Sequence, residues 1–221
     1  MSWFLTYDAE AAEYYLTFAG YGTLAALMLL ALVIPAALSK RESRRMPAKQ
    51  LVYCSISIAL AMVTSFIKFT ALPFGGSITL FSMFFICFAG FLYGPRTGLM
   101  TGAAYGILQL IVDPYIYAPV QVLLDYLFAF GALGLSGFFR KSRHGLIKGC
   151  VAGMTGRYLC HVISGYVFFA EYTPQGMHPV LYSLGYNATY IFPEMIMTLI
   201  LLFVPAVVRA LNQIKRMGQA A

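Results

Sequence analysis

Apolar runs long enough to cross a lipid bilayer recur from one end of this 221-residue chain to the other, and that repetition limits the fold more than any other feature. Crossing a hydrocarbon layer takes roughly 20 helical residues. Six or seven such passes use nearly the whole chain and leave no room for a separate enzymatic or ATP-binding domain. Only 10% of residues are charged and 60% are hydrophobic, whereas a soluble domain carries about a quarter charged residues. Helices are expected rather than a barrel, because barrel strands would read as short alternating segments.

The runs predict spans over residues 14–38, 51–69, 80–93, 97–112, 119–139, 149–169 and 180–207. Charge placement gives them a direction. Lys40, Arg41, Arg44, Arg45 and Lys49 follow the first span, and Arg96 divides the third from the fourth. Arg140, Lys141, Arg143 and Lys148 follow the fifth, and Arg209, Lys215 and Arg216 follow the seventh. The other side holds Lys68 with Asp8, Glu10, Glu13, Asp113 and Glu171. A multi-pass protein with its N-terminus outside and its C-terminus in the cytoplasm puts every basic cluster inside. The net charge of +7 is thereby a topology signal, and no nucleic-acid partner is expected.

Two external connections, residues 71–77 (A-L-P-F-G-G-S) and 171–179 (E-Y-T-P-Q-G-M-H-P), are candidate lids over a cavity. Catalytic and nucleotide-binding motifs are missing from the sequence, so no catalytic residue is assigned. The four cysteines and three histidines show no metal-ligand spacing, and neither a metal nor a cofactor is expected. Trp3 precedes the first span as an interfacial anchor.

Ionisable groups inside a span cost roughly 3 kcal/mol each and need a use or a partner. Asp125, His161 and Asn187 lie at similar depths on the outer side of the fifth, sixth and seventh spans. Arg157, His161, Gly165 and Phe169 recur at four-residue steps on one helix face. Gly165 leaves space there for a ligand or a neighbouring helix. Tyr126, Tyr172, Tyr182 and Tyr186 lie beside this group. Arg157 and Glu194 are deeper, and a mutual structural ion pair is their simplest role. Asp125, lacking such a partner, suits a cationic heterocycle supported by aromatic faces, or a proton relay with His161. Ser55 with Ala59, and Ser57 with Ala61, place small side chains one turn apart on the second span, a possible seat for a partner helix.

The ordered blocks P-F-G-G-S-I-T-L (73–80), L-L-D-Y-L-F-A-F-G-A-L-G-L-S-G (123–137), R-Y-L-C-H-V-I-S-G-Y-V-F-F (157–169), E-Y-T-P-Q-G-M-H-P-V-L-Y-S-L-G-Y-N (171–187) and Y-I-F-P-E (190–194) resemble the thiamine-specific substrate-binding subunits of energy-coupling-factor transporters, the ThiT family. The resemblance implies an all-α bundle of six helices over residues 51–217. Residues 1–50 then form an additional N-terminal transmembrane helix with its basic loop, and 218–221 form a tail. It implies thiamine as ligand, held by Asp125, Tyr126, His161, Gly165, Phe169, Tyr182 and Asn187 under the loop joining the second and third spans. It further implies docking, through the Ser55–Ala61 region, on a transmembrane coupling subunit that carries two cytoplasmic ATPases in a bacterial cell membrane. The chain departs from the pattern in having Asp rather than Glu at 125, no indole at Phe169 or in 68–79, and one extra span. The competing reading is an autonomous proton-coupled transporter of thiamine or a related cationic heterocycle. A structural protein whose buried charges only join helices is a third.

Overall fold

The computed structural model describes residues 46–72 and 76–219, and, nearer the amino terminus, residues 5–8, 13–17, 19, 22 and 26. Most of the first expected span, like Trp3 and the basic cluster 40–45, lies outside the described residues. Its expected start is corrected. Strand β1 (Leu5–Asp8) pairs antiparallel with β2 (Glu13–Leu16), setting Leu5 opposite Leu16, so residues 14–16 are strand rather than helix. Tyr14 and Tyr15 are among the residue types that favour strands.

From residue 48 onward the chain is mostly helical. Helix α1 (Ala48–Ser65) leads into a hairpin of β3 (Lys68–Ala71) and β4 (Ser77–Thr79). The second span therefore ends before the expected residue 69, because Lys68 to Ala71 pair with β4. Helices α2 (Ser82–Tyr93), α3 (Pro95–Val112), α4 (Pro119–Phe139), α5 (Gly145–Phe168), α6 (Pro179–Leu202) and α7 (Pro205–Gln219) follow. Proline opens α3, α4 and α6, where its fixed φ and missing N–H cost nothing.

By length and composition, α1 and α4 can each cross a membrane, and α6 with α7 forms a third candidate bent by 86°. The expected single span over 180–207 is thus broken after Leu202, and the chain turns sharply into α7. That final helix runs to Gln219, past the expected boundary at 217. It docks on the end of α2, where Tyr93 donates to the Gly218 carbonyl at 3.4 Å and Gln219 to the Leu92 carbonyl at 2.9 Å.

Helix α2, about 18 Å long at 1.5 Å per residue, is shorter than an ordinary membrane span and is buried along nearly its whole length. It forms the centre of the core, its Met83, Ile86 and Cys87 sharing one buried cluster with Tyr105, Leu133, Met154 and Ile191 of the other helices. Its first residue follows Phe81 at φ 63°, a left-handed conformation that an aromatic residue adopts only when the surroundings enforce it.

The closest helix contact is between α3 and α4. Gly98, Gly102 and Gly106 recur at four-residue steps, and a Cβ on them would meet Gly134, the Phe130 carbonyl and the Tyr126 carbonyl, respectively. Small residues permit this backbone-to-backbone approach, which membrane helices use in place of a hydrophobic drive. It brings α4 close enough to aim residues 121–130 into the bundle. Within α4, residues Leu123–Phe128 form a π-helical turn, which widens the helix where Asp125 and Tyr126 project. Gly106→Leu is expected to destabilise the folded chain by about 1–3 kcal/mol through overpacking. A thermal melt in detergent should fall by several degrees, whereas Ile111→Leu, at a position 70% exposed, should leave it unchanged.

Candidate functional site

A cavity of about 130 Å³ opens between the hairpin, the start of α2, the end of α3 and the upper halves of α4, α5 and α6. That is roughly ten times the space one buried water needs, so the cavity is built for a larger guest. Its polar floor is arranged around Asp125. One carboxylate oxygen lies 3.1 Å from His161 Nδ1. The other accepts from Gln121 Nε2 at 2.7 Å and Ser164 Oγ at 2.9 Å. A carboxylate offers about four acceptor positions, and three are filled.

The next links fix the histidine tautomer. Arg157 donates through Nε to His161 Nε2 at 3.2 Å, and a guanidinium cannot accept. Nε2 is therefore the acceptor, and the imidazole proton sits on Nδ1, facing Asp125. The Arg157 guanidinium lies 4.0 Å over the Phe130 ring, a cation–π contact that supports it from α4. Asn187 is buried. Its amide donates to the His161 and Ser183 carbonyls at 3.2 and 2.8 Å, and its oxygen accepts from Tyr190 at 2.6 Å. Asp125, His161 and Asn187, grouped in the sequence only by depth, are thus brought together by three different helices.

The expected ion pair between Arg157 and Glu194 is corrected. Glu194, 1% exposed, accepts instead from the Thr79 and Met83 N–H groups at 3.2 and 2.9 Å. The Thr79 and Ser82 hydroxyls also donate to it, at 2.7 and 3.2 Å. Helix α2 has no side-chain N-cap of its own, since Phe81 stands at that position. Glu194 supplies the missing acceptor from α6, and its charge faces the positive end of α2. Arg157 is drawn the other way, toward His161 and Phe130. Both residues nevertheless border the cavity, closer to a guest than a purely structural assignment implies.

Aromatic rings form the walls. Phe169 has Tyr115 and Tyr172 at ring-centre distances of 5.9 and 6.2 Å, and Tyr117, which does not line the cavity, packs on it at 5.3 Å. Opposite, Tyr182, Tyr186 and Tyr190 climb α6 at successive spacings of 6.0 and 6.2 Å. Gly165 serves helix packing as well as the cavity, because the space of a Cβ there is taken by Ser183. Tyr126 borders the cavity, but its hydroxyl is engaged: it accepts from the Tyr115 N–H at 2.7 Å and donates to the Asp113 carbonyl at 3.1 Å.

Of the expected lid 71–77, Ala71 ends β3 and Ser77 opens β4, and Gly76, Ser77 and Thr79 line the cavity. A Cβ on Gly76 would meet the Tyr190 ring; residues 73–75 lie outside the described residues. Lys68 at the hairpin's base makes an ion pair with Asp113 at the end of α3. The loop 171–179 lies at the same end, with Tyr117 donating to Glu171 at 3.2 Å.

Sequence reasoning missed Gln121, Ser164, Tyr115 and Tyr117. Gln121 stands one helical turn before Asp125 and Ser164 three residues after His161, so helical spacing carried a signal for both. The two tyrosines lie on a loop without periodicity. The small-residue stripe on α1 divides: Ser57 and Ala61 are buried within the chain, and only Ser55 and Ala59 remain exposed. The expectation is corrected for Ser57 and Ala61, which the chain's own packing already covers.

Comparisons with known proteins point to one family. The model of the family described as thiamine transporter protein (Thia_YuaJ) matches residues 51–213. The thiamine transporter ThiT of Bacillus subtilis (strain 168) is 37% identical over 169 residues, covering 69% of this chain and 88% of that protein. The thiamine transporter ThiT of Lacticaseibacillus paracasei is 33% identical over 113 residues, 42% of this chain and 56% of that one. A solved ThiT structure from Listeria monocytogenes superposes with a TM-score of 0.58 at 25% identity, covering 72% of this chain and 96% of its own. A family match over most of the chain, a relative of that similarity and a shared helical fold lead to one conclusion: this membrane protein belongs to the thiamine transporter (ThiT) family, the substrate-binding components of energy-coupling-factor transporters.

Proposed function

We propose that the chain binds thiamine in the cavity around Asp125 and delivers it as the substrate-specificity subunit of an energy-coupling-factor transporter. The observation that carries this reading is a carboxylate with one acceptor position left, set at the floor of an aromatic-walled cavity. Thiamine carries a cationic thiazolium ring and an aminopyrimidine whose amino group donates hydrogen bonds. A remaining acceptor on Asp125 suits the amino group, and the Phe169 and Tyr182–Tyr186 faces suit the two rings, one of them through cation–π attraction. In this reading His161, Asn187 and Gly165 shape the floor, and Tyr126 holds the loop that forms one wall. The β3–β4 hairpin is the lid. The shorter Asp at 125 is compensated by the donors that fix its position rather than by reach.

The topology is part of the same proposal. Helices α1 to α6 form the six-helix binding unit, preceded by an additional N-terminal span, and α7 turns away from its end, with the N-terminus outside and the C-terminus in the cytoplasm. Basic residues support this: Arg96, Arg140 to Lys148 and Arg209 to Arg216 gather at the end where α7 meets α2, whereas Lys68, Asp113 and Glu171 sit at the cavity mouth. Energy then comes from a separate transmembrane coupling subunit with two ATPases. The exposed Ser55 and Ala59, flanked by exposed Leu51, Val52, Ile56 and Leu60, form the flat helix face offered to it.

Asp125→Asn removes the charge while keeping a hydrogen-bonding side chain. Losing a hydrogen bond from ligand to a charged acceptor costs about 1.5–3 kcal/mol, roughly a 10- to 100-fold rise in Kd. Calorimetric titration of thiamine should show it, alongside a lowered melting temperature because Asn cannot accept from Gln121, Ser164 and His161 together; an unchanged Kd would remove Asp125 from the ligand shell. In proteoliposomes, the chain alone should not accumulate thiamine under a proton gradient, and adding the coupling module with ATP should produce uptake. Accumulation by the chain alone would establish the autonomous proton-coupled alternative. Leu at both Ser55 and Ala59 should abolish coupled uptake while thiamine binding persists; coupled uptake at the wild-type rate would place the partner seat elsewhere.

A further inference from the structure

The segment between α3 and α4 carries two of the rings that pack on Phe169, yet it has no regular secondary structure between Asp113 and Ala118. Two side chains from α4 hold its main chain. Tyr126 accepts from the Tyr115 N–H and donates to the Asp113 carbonyl. Gln121, 1% exposed, uses both ends of its amide. Its oxygen accepts from the Tyr117 N–H at 3.0 Å, and its nitrogen donates to the Tyr115 carbonyl at 3.2 Å and to Asp125 at 2.7 Å. The orientation of this amide follows from chemistry. A backbone N–H can meet only the oxygen, and a carboxylate can meet only the nitrogen.

Gln121 is therefore the only side chain among the described residues bonded both to this loop and to Asp125. One amide fixes the distance between the carboxylate and the Tyr115 and Tyr117 rings, which lie 5.9 and 5.3 Å from Phe169. We infer that Gln121 is a positioning residue that fixes the aromatic loop to the cavity-floor carboxylate, so that a cationic aromatic ligand meets a wall and an acid already in register. The affinity part of this inference rests on the proposed thiamine function; the tether itself does not. Preorganisation of this kind removes an ordering cost that binding would otherwise meet. Gln121 also borders the cavity, so exchange measured without ligand reads the tether apart from any direct contact.

The test pairs binding with amide hydrogen exchange. Gln121→Met keeps the volume and removes both ends of the tether. It should raise the Kd for thiamine about tenfold, as loss of preorganisation does, and speed exchange in the 113–118 segment. Gln121→Glu keeps an oxygen for the Tyr117 N–H but cannot donate to Asp125 when ionised, so exchange at the Tyr117 amide should stay slow. If Gln121→Met fails to fold, Gln121→Asn gives the same readouts, because its shorter amide cannot reach the loop and Asp125 together. A wild-type chain that binds thiamine beside a Gln121→Met variant with unchanged Kd would overturn the inference, as would unchanged exchange in that variant. A wild-type chain that does not bind thiamine would overturn the functional reading instead, and exchange would still decide the tether.

Discussion

A carboxylate held away from water must gather donors from its surroundings, and two such groups organise this bundle. Glu194 on α6 accepts four hydrogen bonds from Thr79, Ser82 and Met83, joining the hairpin, the start of α2 and α6 at one point. Asp125 on α4 accepts from Gln121 and Ser164 and meets His161, joining α4 to α5. The cavity is the space between these two knots. Removing either acid would leave a set of oriented donors without an acceptor, which is why the site and the fold share residues.

The route from sequence to site passes through two backbone features. Glycines 98, 102 and 106 let α3 and α4 touch main chain to main chain, and the π-helical turn at Leu123–Phe128 re-aims α4 just where Asp125 emerges. Without the close approach, α4 would stand away from the bundle; without the wide turn, Asp125 would project from a different azimuth. Packing and chemistry are the same constraint here, seen at two scales.

The sequence made some of this legible. Depth and four-residue spacing were enough to group Asp125, His161 and Asn187 and to place Gly165 and Phe169 on the face of Arg157. Depth failed for Arg157 and Glu194, because it reports height along a helix and not direction around it. Arg157 turns toward Phe130, and Glu194 turns toward the N-terminus of α2. The hairpin was hidden because Lys68 to Ala71 continue an apolar run, and the 86° break after Leu202 because Phe203-Val204-Pro205 remains apolar across it. The loop tyrosines 115 and 117 obey no period, and tertiary bonds such as those from Gln121 and Tyr126 place them.

The central claim is that a cationic aromatic vitamin is held between the Asp125 carboxylate and the rings around Phe169. A crystal structure of the chain with thiamine bound measures this most directly. The account predicts the ligand inside the cavity, its amino group within hydrogen-bond distance of Asp125 and at least one ring against Phe169, Tyr115 or the Tyr182–Tyr186 face. Thiamine bound outside this cavity, or inside it with Asp125 still making only its three internal contacts, would contradict the account.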